Sequence, residues 1–431
     1  MSADEAISES TPADLSTKLL GTAVVGLGLG LVGVGYGLST NDKSPLLGWL
    51  WGLSFWFSIG IGMLMLTLLF RVFNSEWTPV VRRQLEHCLG AFPYLAACFA
   101  PLLLIAWFGG DKAGILWEWI NPANVIPSGE TVAEDVLHQK KSGYLNVFFF
   151  SVRAIGYFAV FCGLSHWMRK VSFTQDHDGD PKWTRLGHNI AAAGVPILAL
   201  SLTFAAFDWF MSLEYHWFST MFGVWFFAAS IRAGLAVTII LCFFLSTQSN
   251  LGGLYKRGHQ YDLACLSLAF TVFWAYVSFS QYFLIYNANI PEETFWYIIR
   301  EINPNTGDKS GWWLVGLGLI FGHFFFSFLY LLWYRNKVEP PRTLFIVSWI
   351  LAFHLLDLYW NIIPGRIPNA EAIVGYDARS VFGTHLFWGL VSLVGIGGLC
   401  GWAVLKSFRE ADCEAIPVRD PRIQTSIDYH E

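Results

Sequence analysis

LLGWLWGLSFWFSIGIGMLMLTLLF, residues 46–70, runs for 25 positions without a charge. At a helical rise of about 1.5 Å per residue it reaches further than the roughly 30 Å hydrocarbon layer of a bilayer, and it is too long for a strand. A lipid-spanning α-helix is the reading that satisfies its backbone hydrogen bonds. Working outward, similar runs recur at 19–38, 85–108, 142–167, 189–211, 217–245, 261–287, 311–334, 343–362 and 380–405. The 431 residues are 54% hydrophobic and only 14% charged, against roughly 25% charged in a soluble domain. The expected fold is an all-α polytopic membrane protein of about ten spans, with segments 1–18 and 406–431 as tails around a membrane domain at 19–405.

Basic residues orient it. With the N-terminus inside, the inner segments hold seventeen of the 27 Lys and Arg, among them Arg71, Arg82, Arg83, Arg169, Lys170, Arg335 and Lys337. The outer segments hold eight, and cytoplasmic loops retain basic residues, so both termini are expected in the cytoplasm. Residues 1–17 carry Asp4, Glu5, Glu9 and Asp14 with no basic region, so the first apolar run reads as a retained span and not a removed signal. Spans 2–5 and 6–9 each begin outside, which suggests two parallel four-helix bundles flanked by spans 1 and 10. Span 1 carries Gly21, Gly26, Gly28, Gly30, Gly33, Gly35 and Gly37, a composition suited to close helix packing. Pro93, Pro101 and Pro196 are expected to kink spans 3 and 5. Trp107, Trp117, Trp119, Trp296 and Trp312 flank the longer outer loops, 109–141 and 288–310, where ordinary headgroup anchoring competes with docking of outer partners.

A net charge of -5 without a basic patch excludes nucleic acid as a partner class. The seven cysteines show no CxxC or CxxCH spacing, so neither an iron–sulfur cluster nor a covalently attached haem is expected in this chain. Ionisable residues inside spans cost about 2.5–3.5 kcal/mol each on insertion scales and mark candidate chemistry. They are Asp208, His323, His354, Asp357 and His385, a candidate quinol or proton path, with Arg153 and Arg232 as candidate buried charge partners. Read by depth, Asp208, Asp357 and His385 fall in the outer third, His354 slightly deeper, and Arg153, Arg232 and His323 near the middle. His354 and Asp357 stand three apart on one helix, where the carboxylate could steady a protonated imidazole. Oxidation of a quinol releases protons and needs such bases. The competing reading is an interhelical polar pair that only orients the bundle. Two histidines at matched depth would also be needed for a b-type haem, which nothing else in the pattern indicates. Glu86 and His87 are the groups near the inner end of span 3.

Three stretches carry a family resemblance: SGYLNVFFFSVR at 142–153, AFDWFMSLEYHWFSTMF at 206–222 and AFTVFWAYVSFSQYFLIYNANIPEETFWYIIR at 269–300. They resemble the F subunit of bacterial alternative complex III, which belongs with the membrane anchors similar to polysulfide reductase. That resemblance implies a respiratory quinol:electron-acceptor oxidoreductase complex. Its expected partners are a homologous sister membrane subunit, an iron–sulfur protein, multihaem cytochrome c subunits and a terminal oxidase, besides membrane lipids. The chain itself would bind at most quinone or quinol and would serve electron transport without holding a redox centre. A structural anchor that recruits outer subunits through its loops is the alternative. A secondary transporter ranks lower, since the proline interruptions of spans 3 and 5 have no matching pair in the second half.

Overall fold

The computed structural model describes residues 12–126, 129–247, 251–369, 371–411 and 415–429. Among them ten helices are long and apolar enough to cross a membrane. These are α1 (Pro12–Thr40), α2 (Ser44–Val72), α3 (Pro79–Phe108), α4 (Val147–Asp178), α5 (Lys182–Trp209), α6 (Phe222–Thr247), α7 (Arg257–Ala288), α8 (Gly311–Leu332), α9 (Pro340–Ile362) and α10 (Thr384–Glu410). The one sheet among the described residues is a small hairpin of β1 (Arg366–Pro368) and β2 (Tyr376–Ala378) in the α9–α10 loop. Cys413 and residues 1–11 of the expected tail lie outside the described residues.

Helix α2, the stretch quoted first, is buried along nearly its whole length. Three of its tryptophans bond backbone carbonyls of surrounding helices: Trp49 to Cys98 at 2.9 Å, Trp51 to Leu355 at 3.0 Å and Trp56 to Leu393 at 2.8 Å. Helices α2–α5 form one four-helix group and α6–α9 another, joined where α2 packs against α6, while α10 lies against both α1 and α2. The α2–α6 crossing is backbone on backbone. A β-carbon at Gly62 would overlap the Ser230 carbonyl, and one at Gly234 would meet Gly62 Cα at 2.9 Å. At the α1–α10 crossing Gly26 faces Gly395, whereas Gly21, Gly28 and Gly35 have open space before them. Glycine thus serves α1 as a packing device on one face only.

Several boundaries differ from the sequence expectation. Asn146 accepts from the Phe149 amide and caps α4, so that helix starts at Val147, five residues later than the apolar run, and continues to Asp178. Helix α3 starts at Pro79, not Leu85, and carries a 3₁₀ turn at Leu89–Ala91 just ahead of Pro93. Pro101 and Pro196 lie inside α3 and α5. Residues 415–429 form no free tail, because they fold back on the face that carries both described chain ends. Gln84 there donates to the Ala415 carbonyl at 2.8 Å, and the Ser426 hydroxyl donates to the Trp77 carbonyl at 2.7 Å. On the opposite face the long loops fold inward. Trp117, Trp119, Trp296 and Trp312 are buried in protein, and Trp107 alone of the five is exposed. They are core residues of the loops, each supplied with apolar neighbours, and the headgroup reading fails for these four.

Candidate functional site

The polar residues within the spans separate into two groups. The first is in the second bundle. Helix α8 widens into a π-helix over Leu319–Phe326, and His323 sits within it. A wider turn weakens the helix's own hydrogen bonds and leaves carbonyls for other donors. Two consecutive ones are used: Trp349 Nε1 donates to the Gly322 carbonyl at 2.9 Å, and Arg232 Nη2 to the His323 carbonyl at 2.6 Å. Arg232 Nη1 also lies 2.7 Å from His323 Nε2. A guanidinium can only donate, so Nε2 accepts and the imidazole carries its proton on Nδ1. That Nδ1 is buried without a hydrogen-bond partner.

Trp274 of α7 links these groups to a carboxylate. Its ring meets His323 edge-on at 4.5 Å and lies 5.5 Å from the Arg232 guanidinium, while its Nε1 donates to Asp357 Oδ2 at 2.9 Å. Asn361 Nδ2 donates to Asp357 Oδ1 at 3.1 Å. Among the described residues no carboxylate pairs directly with Arg232. Cation and carboxylate therefore balance across an indole in a water-poor interior, an arrangement that keeps both groups polarised.

His354 does not pair with Asp357. One turn apart on α9, the two diverge: Asp357 turns to α7, while His354 Nε2 lies 2.8 Å from Ser58 Oγ on α2. The Ser58 hydroxyl gives its proton to the Phe55 carbonyl at 2.8 Å, so His354 Nε2–H must donate. Its Nδ1 is left as a buried acceptor without a partner. The expected steadying of an imidazolium by Asp357 is thus corrected, because a serine 296 residues away offers a closer acceptor than the helix's own carboxylate.

The second group is closed. Arg153 Nε and Nη2 donate to Asp208 Oδ2 and Oδ1 at 2.7 and 3.0 Å, and the Tyr157 hydroxyl adds a third bond at 2.8 Å. Arg153 is stacked 3.7 Å from the Tyr144 ring and donates to the Tyr144 carbonyl at 2.9 Å. It therefore stands level with Asp208 toward the loop face, not mid-span as the apolar run had placed it, because Asn146 delays the start of α4. His385 is isolated from both groups. Its Nε2 lies 3.2 Å from the Val381 carbonyl and its ring lies 5.8 Å from Tyr359.

Two clusters escaped the sequence reading. On the loop face Arg366 pairs with Glu214 at 2.9 Å and approaches His216 Nδ1 at 3.2 Å, and His216 Nε2 reaches Asp135 at 2.9 Å. Burial opposes ionisation of Asp135, but the Tyr215 hydroxyl, the Leu137 amide and His216 together hold its pKa below the ordinary value. Burial and the Arg366 charge push His216 down. This chain of contacts ties the loops of one bundle to the β-hairpin of the other.

At the opposite face Glu86 is bonded by Arg71 at 2.9 Å and Arg82 at 3.1 Å, with Arg83 at 3.6 Å. Arg83 pairs with Asp176 at 2.6 Å, and Arg82 with Asp420 at 2.7 Å. All three arginines are buried. Arg82 and Arg83 read as loop charges in the sequence because span 3 is expected to begin at Leu85, whereas the helix starts at Pro79 and sets Glu86 one turn from both. Glu86 Oε1 takes both close hydrogen bonds, while Oε2 is buried without one and faces Arg83 only at ion-pair distance. His87 is stacked 4.0 Å from Phe408, with Nδ1 3.2 Å from Ser407 Oγ. No protein-family model matches this chain, and neither does any curated protein.

Proposed function

We propose that this multi-pass membrane protein is a subunit of a respiratory quinol-oxidising complex of the alternative complex III type, placed in a bacterial inner membrane with both termini in the cytoplasm. The chain carries no electron. Its work is to brace the outer redox subunits and to handle protons released when quinol is oxidised, beside a sister membrane subunit. One observation supports the proton role: His323 and His354 each keep one ring nitrogen buried and without a partner, a donor in the first and an acceptor in the second. Buried polar atoms are ordinarily satisfied, and histidine is the side chain suited to exchanging a proton near neutral pH. Arg232 fixes the His323 tautomer and cannot itself relay a proton. His354 Nδ1 is the acceptor, and Asp357, one turn along α9 on the α7 side, is the carboxylate of that helix that receives charge.

A second reading, the structural anchor, is favoured by the closed Arg153–Asp208–Tyr157 group and by the ion pairs of the Glu86 cluster, which are spent on holding helices. The two readings part in one experiment. In the purified complex, His354→Leu with Asp357→Asn leaves the subunit composition intact and lowers quinol oxidation or proton release. Wild-type turnover in the assembled double variant would leave only the anchor.

A further inference from the structure

A cleft of about 420 Å³ opens in the seam between the two bundles, on the side of the chain ends. Leu66, Leu69 and Phe70 of α2 wall it on one side, and Leu266 and Phe270 of α7 on the other. Its remaining lining is the exposed ring of Phe73 with the polar or amphipathic Ser75, Trp77, Asp262 and Cys265. Asp262 lies near the start of α7, and Phe270 is eight residues further along, so the cleft descends about 12 Å toward the middle of the span. One end belongs to the headgroup zone and the other to hydrocarbon. The volume lies within the roughly 300–1,000 Å³ of sites that hold small organic ligands.

The mouth has a definite chemistry. Asp262 is the one charged side chain among the lining residues. Tyr429, from the folded-back C-terminal segment, donates to its Oδ2 at 2.6 Å, and Oδ1 has no hydrogen bond among the described residues. A carboxylate with an open oxygen repels a head of net negative charge and suits a cationic N–H donor. Trp77 supplies the amphipathic ring typical of that depth.

We infer that the cleft binds one phospholipid with a primary-amine head, of the ethanolamine class, its ammonium on Asp262 and an acyl chain between α2 and α7. Such an ammonium has three donors, whereas a choline head has none and a glycerol head adds net negative charge. A bound lipid fills the gap that α2 and α7 leave on either side of α6 and joins the bundles at the face opposite the Arg366–Glu214 contact.

The test is native mass spectrometry of the purified chain, or of its complex, titrated with ethanolamine, choline and glycerol phospholipids of equal chain length. One ethanolamine lipid is expected to survive activation preferentially. Asp262→Asn should lower its advantage over the glycerol lipid by roughly tenfold, the loss of one charge-assisted hydrogen bond. Leu69→Trp should remove retention by filling the cleft. Because a filled cleft can impair folding, unaltered protein gives a second readout. In nanodiscs, modification of Cys265 by a membrane-permeant maleimide, located by peptide mapping, should be slowed several-fold by ethanolamine lipid relative to choline lipid. Equal Cys265 rates in all three lipids, preference for the glycerol lipid, or retention of a neutral isoprenoid in place of a phospholipid would each overturn the inference.

Discussion

Arg153 and Asp208 provide a measurable asymmetry. Removing the cation by Arg153→Met leaves a carboxylate that is fully buried and has only the Tyr157 hydroxyl at 2.8 Å. Breaking a buried pair in this way costs about 3–5 kcal/mol. Removing the anion by Asp208→Asn is milder. Arg153 keeps the Tyr144 carbonyl at 2.9 Å and the aromatic faces of Tyr144 and Phe149 at 3.7 and 4.4 Å, and its side chain is 10% exposed toward the loop face. A cost of about 1–2 kcal/mol follows from one lost charge-assisted contact set partly replaced by stacking. The double variant Arg153→Met/Asp208→Leu removes both charges and should return to within about 1–2 kcal/mol of the parent, since an apolar pair of similar volume often replaces a buried ion pair without loss. Equilibrium unfolding in mixed micelles, read by tryptophan fluorescence across these proteins and the Asp208→Leu single variant that closes the cycle, gives the coupling energy directly. Additive single effects, or Asp208→Asn proving the costlier change, would show that the carboxylate is reached by water and that the pair is not the lock described.

Two other outcomes follow. Gly62→Ala places a methyl group on the Ser230 carbonyl and should cost about 1–3 kcal/mol or block assembly of the two bundles, while Gly21→Ala, with open space before it, should stay within about 0.5 kcal/mol; thermal denaturation in detergent compares them, and equal effects would refute the crossing. At the chain-end face burial opposes ionisation of Asp420, but Arg82 and Arg422 outweigh it and hold the carboxyl well below the ordinary carboxylate value. Its folded-state pKa is depressed, so its contribution is complete above the ordinary value of about 4 and is lost only as pH falls below it. Hydrogen-exchange protection of residues 415–429 should therefore stay constant down to about pH 5 in the parent and be lost at neutral pH in Asp420→Asn; protection fading between about pH 7 and 5 would contradict this.

The ten spans and their grouping were legible because lipid imposes a length and an apolar content that no other solvent demands, and 46–70 meets both without ambiguity. The residues worth inspecting were also legible, since Asp208, Arg232, His323, His354 and Asp357 stand in oil and each proves to be engaged in the interior. Their partners were not. Helical spacing can suggest only neighbours on the same helix, so it offered Asp357 to His354 when Ser58 on α2 was the partner. The π-turn around His323 left no mark either, because Gly322 and a run of phenylalanines suit an α-helix equally well. Arg71, Arg82 and Arg83 misled for a related reason. A charge is read as solvated unless its counter-charge is seen; Glu86 lies within reach of Arg82 and Arg83 on α3 itself, but Asp176 and Asp420 become counter-charges only once α4 and the C-terminal segment have folded against it.

That same assembly sets an order on biogenesis. Arg71, Arg82, Arg83 and Glu86 leave the ribosome early, with three cations to a single anion. Asp176 arrives with the fourth helix, and Asp420 only after all ten have been made. Until then the nascent protein must keep this corner wet, and drying it is a late act of maturation. A chain halted short of Asp420 would leave Arg82 with Glu86 alone, a carboxylate it shares with Arg71 and Arg83.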